Sequence, residues 1–589
     1  MFDKFKVKKP QRSTLSLSHK HETTVNIGDI NALHWNWCFP GDRFKIKYSF
    51  LCKFSPMLAP NFSRMRIKSE VFYVPLSDIF PNFHDVIMNY KEESETVREN
   101  GVQTSYNFIK LPYIRLNRLA TYADRYQELG NLPSSNLSYD AKLGYHTYFQ
   151  QLAIDRLWHQ IGVPFDICCS QIATSSSLQE FEDNPYSNNN RYRDFVSGTS
   201  TRCTLSGAVP VSLLPFMAYQ YIYNWYYRDS VRSPEVDIYP NIFDGNNAIV
   251  SPWVGNGADV TPSTALSVNE NVNRFFNSLF QIRKRFYRKD YFNTAVGDPT
   301  VGVDSIAVPD NIVDLRKANK LQQFIEKQAL AGNRIAEFIA AHWAHKADNY
   351  ELGRPILISS SSQNVQISEV LQTSQTTTGG DDASAQGTRS GVGNSYGSSN
   401  GSFFVSPDYG ILMINMSIVP EISYFSGTPR KLTPYRWEHF PWPEFAQIGM
   451  QPVYNFEISS YSNVNSHSEI FTGSYPVLEN LDVFGYVPRY SEYKMEPDQI
   501  SGELATSLRY WHQSPRFEDA PNLNLDFGLI GFLDINDISS IEQSRAYFFQ
   551  YYNQIFAVGS DQIGDHCQII GMFDIIVNRA LPYNDMPAL

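Results

Sequence analysis

Five cations interleaved with four aromatic rings form the densest cluster of reactive side chains in the sequence. Arg283, Lys284, Arg285, Arg288 and Lys289 alternate with Phe286, Tyr287, Tyr291 and Phe292. Cations neutralise phosphates and aromatic faces stack on unpaired bases, so the pattern suits a single-stranded polynucleotide. A solvated helix face with its aromatics turned into the core accounts for the same residues. A second basic segment opens the chain: Lys4, Lys6, Lys8, Lys9, Arg12 and Lys20 meet only Asp3 among the first 20 residues. The whole chain has a net charge of −11. That is the wrong sign for a general nucleic-acid binder, so contact with phosphates must be local to such segments.

The remaining candidates for chemistry are weaker. His342 and His345 lie three apart on an expected helix, but no H-E-x-x-H arrangement accompanies them, and helix-surface histidines explain them better than a metal. The same holds for His19 and His21. Cys168-Cys169 reads as a pair of buried thiols. The Gly391-Val392-Gly393-Asn394-Ser395-Tyr396-Gly397 run has the wrong last spacing for G-x-G-x-x-G and lacks a strand-to-helix context. No G-x-S-x-G elbow supports a nucleophile. The expectation is no catalytic site, no cofactor and no metal. Six cysteines in 589 residues, none in C-x-x-C spacing, point to a reduced compartment. The charged first residues have no apolar run behind them, and no stretch is long and apolar enough to span a bilayer, so synthesis in a cytoplasm without membrane insertion is expected.

The elements that must carry these residues are mainly strands. Phe44, Ile46, Tyr48, Phe50, Cys52 and Phe54 alternate with Arg43, Lys45, Lys47, Ser49 and Lys53, a period of two with one wet face. Met65, Ile67, Val71 and Tyr73 repeat it, as do Leu412, Ile414, Met416 and Ile418, and Cys567, Ile569, Phe573, Ile575 and Val577. Strong strands near both ends with an irregular middle suggest a sheet closed by its termini, as in a jelly roll with long insertions. Helical spacing appears over 213–228 and in a helical segment over 312–350, where Gly332-Asn333 is placed to break it. Residues 1–30 read as a basic N-terminal arm and 31–589 as one domain. Within that domain, 231–280 is expected to be a variable insertion and 374–402 a Gly/Ser-rich surface loop.

A series of short motifs runs through most of this chain. Pro40-Gly41-Asp42 opens it, followed by Leu213-Leu214-Pro215-Phe216 with Tyr223-Asn224 and Tyr227-Arg228. Arg288-Lys289-Asp290-Tyr291-Phe292 comes next, then Leu315-Arg316, Gly332-Asn333-Arg334 with Glu337, Arg354-Pro355, and Ser368-Glu369-Val370-Leu371-Gln372-Thr373-Ser374. Trp442-Pro443-Glu444, Ile448-Gly449-x-Gln451-Pro452-Val453, Phe484-Gly485-Tyr486-x-Pro488-Arg489-Tyr490 and Trp511-His512 complete it. The series resembles the major capsid proteins of microviruses, the gokushovirus-like small icosahedral bacteriophages with circular single-stranded DNA. That resemblance implies a mainly β, single jelly-roll subunit (an antiparallel β-sandwich or barrel) with helix-containing insertions. It implies a homo-oligomeric T=1 shell in the virion, assembled around single-stranded DNA, with other virion or scaffolding proteins as further partners. It also turns the two basic segments, Lys4, Lys6, Lys8, Lys9 and Arg12 with Arg283, Lys284, Arg285, Arg288 and Lys289, into expected DNA contacts. One departure stands out. Relatives carry a long insertion between the Asp-Tyr-Phe motif and the Leu-Arg helix that builds a surface protrusion, whereas here Phe292 to Leu315 is short and the extra length lies between Arg228 and Arg283. The protrusion and its host-attachment role are therefore not carried over.

Two other classes remain. A secreted or phage-borne β protein binding or cleaving carbohydrate would use the abundant aromatics to line a sugar groove, but no carboxylate pair sits in a supporting motif. A cytosolic single-stranded DNA-binding module fits the basic aromatic cluster, yet leaves the length and the −11 charge unexplained.

Overall fold

The computed structural model describes residues 11–80, 211–228, 279–285, 312–331, 334–345, 353–371, 389–458, 483–514 and 566–583, with shorter stretches between them. Two antiparallel sheets face each other. The larger holds β1 (Ser13–Ser16), β2 (His19–Val25), β4 (Arg43–Phe54), β7 (Gln366–Leu371), β8 (Arg389–Ser398), β9 (Ser402–Val405) and β13 (Cys567–Arg579). Its order is β1-β13-β4-β8-β7, with β2 also on β13 and β9 also on β4. The smaller sheet has the order β6 (Ile356–Asn364), β5 (Met65–Pro75), β10 (Gly410–Pro420), β3 (Ile30–Cys38). The chain is an antiparallel β-sandwich.

β4 follows the alternation of its sequence. Phe44, Ile46, Tyr48, Phe50, Cys52 and Phe54 are buried, while Arg43, Lys45, Lys47 and Lys53 are exposed on the outer face. The buried set meets Ile67, Val71 and Tyr73 of β5, Leu412, Ile414 and Met416 of β10, and Ile569, Ile575 and Val577 of β13 in one core between the sheets. β10 is buried along its whole length. A second core explains why: Phe72, Val74, Ile411 and Met413 on the other face of the small sheet pack against α2 (Leu214–Ile222) and α1 (Ile154–Ile161). Among the described residues the small sheet is thus covered on both faces and the large one on its inner face only.

The expected helix over 213–228 is present as α2, with Pro215 in its first turn where a missing N–H costs nothing, continued by a wider π turn over Tyr223–Tyr227. The expected break at Gly332-Asn333 separates α3 (Ile312–Ala331) from α4 (Ile335–Trp343). Glu337 caps α4 by accepting from the Arg334 backbone N–H at 3.2 Å, and the Arg334 guanidinium donates to the carbonyls of Asn224 (2.8 Å) and Arg228 (2.5 Å). That motif therefore docks the helix pair onto the end of α2.

Two expectations change. The basic arm does not extend to residue 30, because Ser13–Ser16 and His19–Val25 are strands laid along β13. The Gly/Ser-rich surface loop over 374–402 gives way at Arg389 to β8, hydrogen-bonded between β7 and β4. Its glycines serve close packing: a Cβ on Gly391 would sit 2.6 Å from the Ala59 carbonyl oxygen. Most of 231–280 lies outside the described residues, as do Cys168-Cys169 and 372–388.

Candidate assembly and genome-contact surfaces

The 283–285 segment runs beside the start of β3. Ile30 N donates to Arg283 O and Arg285 N to Gly28 O, each at 2.8 Å, and Asp29 bridges Lys284. All three cations have partners inside the fold. Lys284 Nζ lies 2.9 Å from the buried Asp29 carboxylate. Arg285 grips Glu70 with both ends of its fork, at 2.8 and 2.9 Å, and reaches Ser417 Oγ at 3.1 Å. The Tyr227 hydroxyl donates to the same carboxylate, and the Tyr227 ring lies 5.0 Å beneath the guanidinium. Burial opposes the Arg285 charge, but the hydrogen bonds and charge of Glu70 outweigh it and hold the pKa above its ordinary value. Arg283 donates from Nε to Gln220 Oε1 at 2.8 Å and lies over Tyr223.

Through these contacts Arg283, Lys284 and Arg285 tie the insertion to the sandwich. Sequence spacing could not reveal this, since the balancing carboxylates lie 215 and 255 residues away. Arg288 and Lys289 lie outside the described residues, as do Lys4, Lys6, Lys8 and Lys9. Arg12 is exposed just ahead of β1, donating to Gly41 O at 2.6 Å.

His342 stacks between Phe324 and Phe338, with centroids at 4.4 and 4.6 Å. His19 stacks between His34 and Phe573. Among the described residues no three His, Cys, Asp or Glu side chains converge to hold a metal ion, and no helix is long and apolar enough to cross a membrane.

A different surface emerges after β10. Residues 432–448 are ordered by short 3-10 turns at Arg430–Leu432, Trp437–His439 and Pro443–Phe445. Pro434, Pro441 and Pro443 restrict the backbone between them. Trp442 Nε1 donates to Trp437 O at 2.9 Å, and Trp442 N to the Tyr490 hydroxyl at 3.2 Å. Below the segment, the Arg430 guanidinium lies 3.7 Å from Glu457 and 3.8 Å from Glu492. Gly449 has φ +129°, and the Glu326 carboxylate of α3 sits 2.5 Å from where its Cβ would be. Despite this order the side chains are bare. Exposure runs from 40% at Phe445 to 76% at Tyr435 and includes Trp437, Phe440, Trp442 and Ile448. With about 150–250 Å² for a whole aromatic side chain, the segment exposes roughly 700–800 Å² of apolar surface. That exceeds the ~300–600 Å² patch of a typical monomer and matches the ~800 Å² that one partner gives to a stable interface. The sequence carried a signal for it, prolines alternating with aromatics in neither a helical nor a strand period, which went unread as a surface.

The motifs also meet in space. β11 (Met450–Tyr454) pairs with β12 (Val483–Pro488), joining the Gly-x-Gln-Pro-Val motif to the Phe-Gly-Tyr motif, and Tyr490 N donates to Gln451 Oε1 at 3.0 Å. The Tyr226 hydroxyl donates to Pro355 O at 2.7 Å while Arg354 lies over the Tyr226 ring.

Comparison with known proteins agrees with this architecture. The capsid protein VP1 of Chlamydia phage 1 is 24% identical over 561 residues, spanning 88% of this chain and 89% of that protein. The capsid protein VP1 of Bdellovibrio phage phiMH2K is 29% identical over 250 residues, spanning 40% of this chain and 43% of that protein. A family described as "Capsid protein (F protein)" matches residues 3–106 and 301–589. The unmatched stretch between them contains α1, α2 and the 283–285 segment, all hung on the outer side of the small sheet. A two-sheet sandwich matched over both its sheets, with its insertion outside the match, belongs to the F-protein family of microvirus capsid proteins and is a structural protein of the virion.

Proposed function

We propose that copies of this chain close into a small icosahedral shell around a circular single-stranded DNA genome, joined in part through the aromatic segment 432–448. The carrying observation is the ordered but uncovered apolar surface of that segment. Its composition is that of an interface core, rich in Trp, Tyr and Phe with few charges. A second copy is the fitting occupant, because symmetric shells bury the same patch on every subunit. The work is burial of surface and not bond chemistry, so the chain is no enzyme. Buried free thiols at Cys38, Cys52 and Cys567 suit synthesis in a reducing host cytoplasm. The DNA, and other virion or scaffolding proteins, are the remaining partners.

The test is negative-stain microscopy and sedimentation of the full-length chain, alone and with extract of phage-infected cells, beside the double variant Trp437→Ser/Phe440→Ser. Wild type should form uniform small particles. The variant should sediment as folded subunits, since hot-spot aromatics are worth about 2 kcal/mol or more each. Shells that persist in the variant would remove the segment from the contact. No closed shells from wild type in either sample would overturn the assembly reading itself.

A further inference from the structure

We infer that the outer face of the seven-stranded sheet is a binding surface for single-stranded polynucleotide, through which the shell meets its genome; this rests on the capsid reading above. Four exposed cations, Arg43, Lys45, Lys47 and Lys53, project from alternate positions of β4, the middle strand of the sheet. Such positions recur at about 6.8 Å along a strand. Lys20 of β2 joins them across Met572.

The charge on this face is net positive: Arg43, Lys45, Lys47, Lys53 and Lys20 stand against two carboxylates, Glu22 and Asp574. Glu22 pairs with Lys20, and Asp574, which accepts from Ser18 Oγ at 3.0 Å, is the cross-strand neighbour of Lys47. Among the described residues Arg43, Lys45, Lys47 and Lys53 form no ion pair. On a chain of net charge −11, a strip of unpaired cations has no evident folding purpose. The contrast with Arg285, whose charge is fully met inside the fold, is direct.

Two aromatic rings stand on the same face. Phe403 is cross-strand neighbour to Lys45, and Tyr396 to Leu51. They are 67% and 73% exposed. They stand apart from one another beside the cations of β4, unlike the continuous aromatic run at 432–448, an arrangement that suits stacking on unpaired bases. Among the described residues nothing covers this face. The opposite face of the sheet is the sandwich core, and α1 and α2 cover the other sheet. The basic N-terminal segment joins the same sheet, entering it at Ser13. Phosphate neutralisation plus stacking carries no base readout, so binding should show little sequence preference.

Fluorescence anisotropy of the full-length protein with a labelled oligothymidylate, across a salt series, tests this. For single strands each neutralised phosphate adds about 0.7 to the salt slope. Lys45→Gln/Lys47→Gln/Lys53→Gln should therefore lower the slope by about 2 and weaken binding at least tenfold at low salt. Tyr396→Ser/Phe403→Ser should weaken binding while leaving the slope unchanged. All these side chains are exposed, so both variants should keep the wild-type melting temperature. An unchanged slope and affinity in the triple variant, with loss confined to Lys4→Gln/Lys6→Gln/Lys8→Gln/Lys9→Gln, would overturn the sheet face in favour of the arm. Loss of shells without loss of DNA binding would overturn it in favour of a contact between copies. Wild-type shells that package DNA equally well with the triple variant would sink this inference and leave the capsid reading standing.

Discussion

Arg285 shows how a cation is kept inside this fold: a bidentate carboxylate, a hydroxyl and an aromatic face surround it. Removing one member of such a pair strands the other's charge. Glu70→Gln should cost about 3–5 kcal/mol in a denaturant titration, whereas Arg43→Gln, on open surface, should stay within about 0.5 kcal/mol. His34 makes a second prediction. Burial, and then the neighbouring His19 and His21, push its pKa down to about 3 from the ordinary 6.5. Its Nε2 is buried without a hydrogen-bond partner. The unfolded chain therefore binds a proton here more readily than the folded one. This contribution is fully present above pH 6.5 and is lost as pH falls from there towards 3, with a slope of at most about 1.4 kcal/mol per pH unit. Melting temperatures across pH 7 to 4 should fall less steeply in His34→Leu than in wild type. Equal slopes would remove His34 as a contributor.

Strand β8 is where the sequence was least readable at the level of elements. Its Ser, Gly and Asn content signals a loop, and only the neighbours in space make it a strand. Gly391, Gly393 and Gly397 face inward, where Ala59, Phe54, Met57 and Gln363 leave no room for a side chain. Gly391→Ala would drive a methyl group against a backbone carbonyl and should lower stability by about 1–3 kcal/mol in thermal melts. A neutral result would show that the 59–60 segment can shift. β4, by contrast, was legible residue by residue, because one face meets a core and the other meets water. β10 was legible only on the side of Leu412 and Ile414; the burial of Ile411 and Met413 depends on helices contributed by a distant insertion. The partners of the 283–285 cluster were illegible for a related reason. Periodicity reports which face is wet, but it does not report a carboxylate arriving from another strand.

At the scale of the molecule, the two sheets have different surroundings. Among the described residues one carries α1 and α2 and the other presents an exposed basic face. The family match skips 107–300 and resumes at 301; of the described residues in that stretch, α1, α2 and 283–285 pack on the small sheet, while Tyr291, Phe292 and Ala295 join Tyr424, Val453 and Val487 in a third core. The expected arm was visible as charge, but its end was not, since β1 and β2 need β13 to become strands. Deleting residues 1–10 should leave the melting temperature unchanged. Deleting residues 1–26 should bare an edge of β13 and yield aggregates in sedimentation, as unpaired long edges do. Soluble, monodisperse protein from the longer deletion would show that β2 is dispensable.

β4 is complete once residue 54 has been made, yet its partner β13 begins only at Cys567. At about 5–20 residues per second of synthesis, the central strand waits roughly half a minute or more for its neighbour. The sandwich cannot close before β13 has been made, and its basic face has no finished form until then. Until that pairing the surfaces that the finished sandwich presents do not exist, so the pairing of an early strand with a late one acts as a clock on assembly.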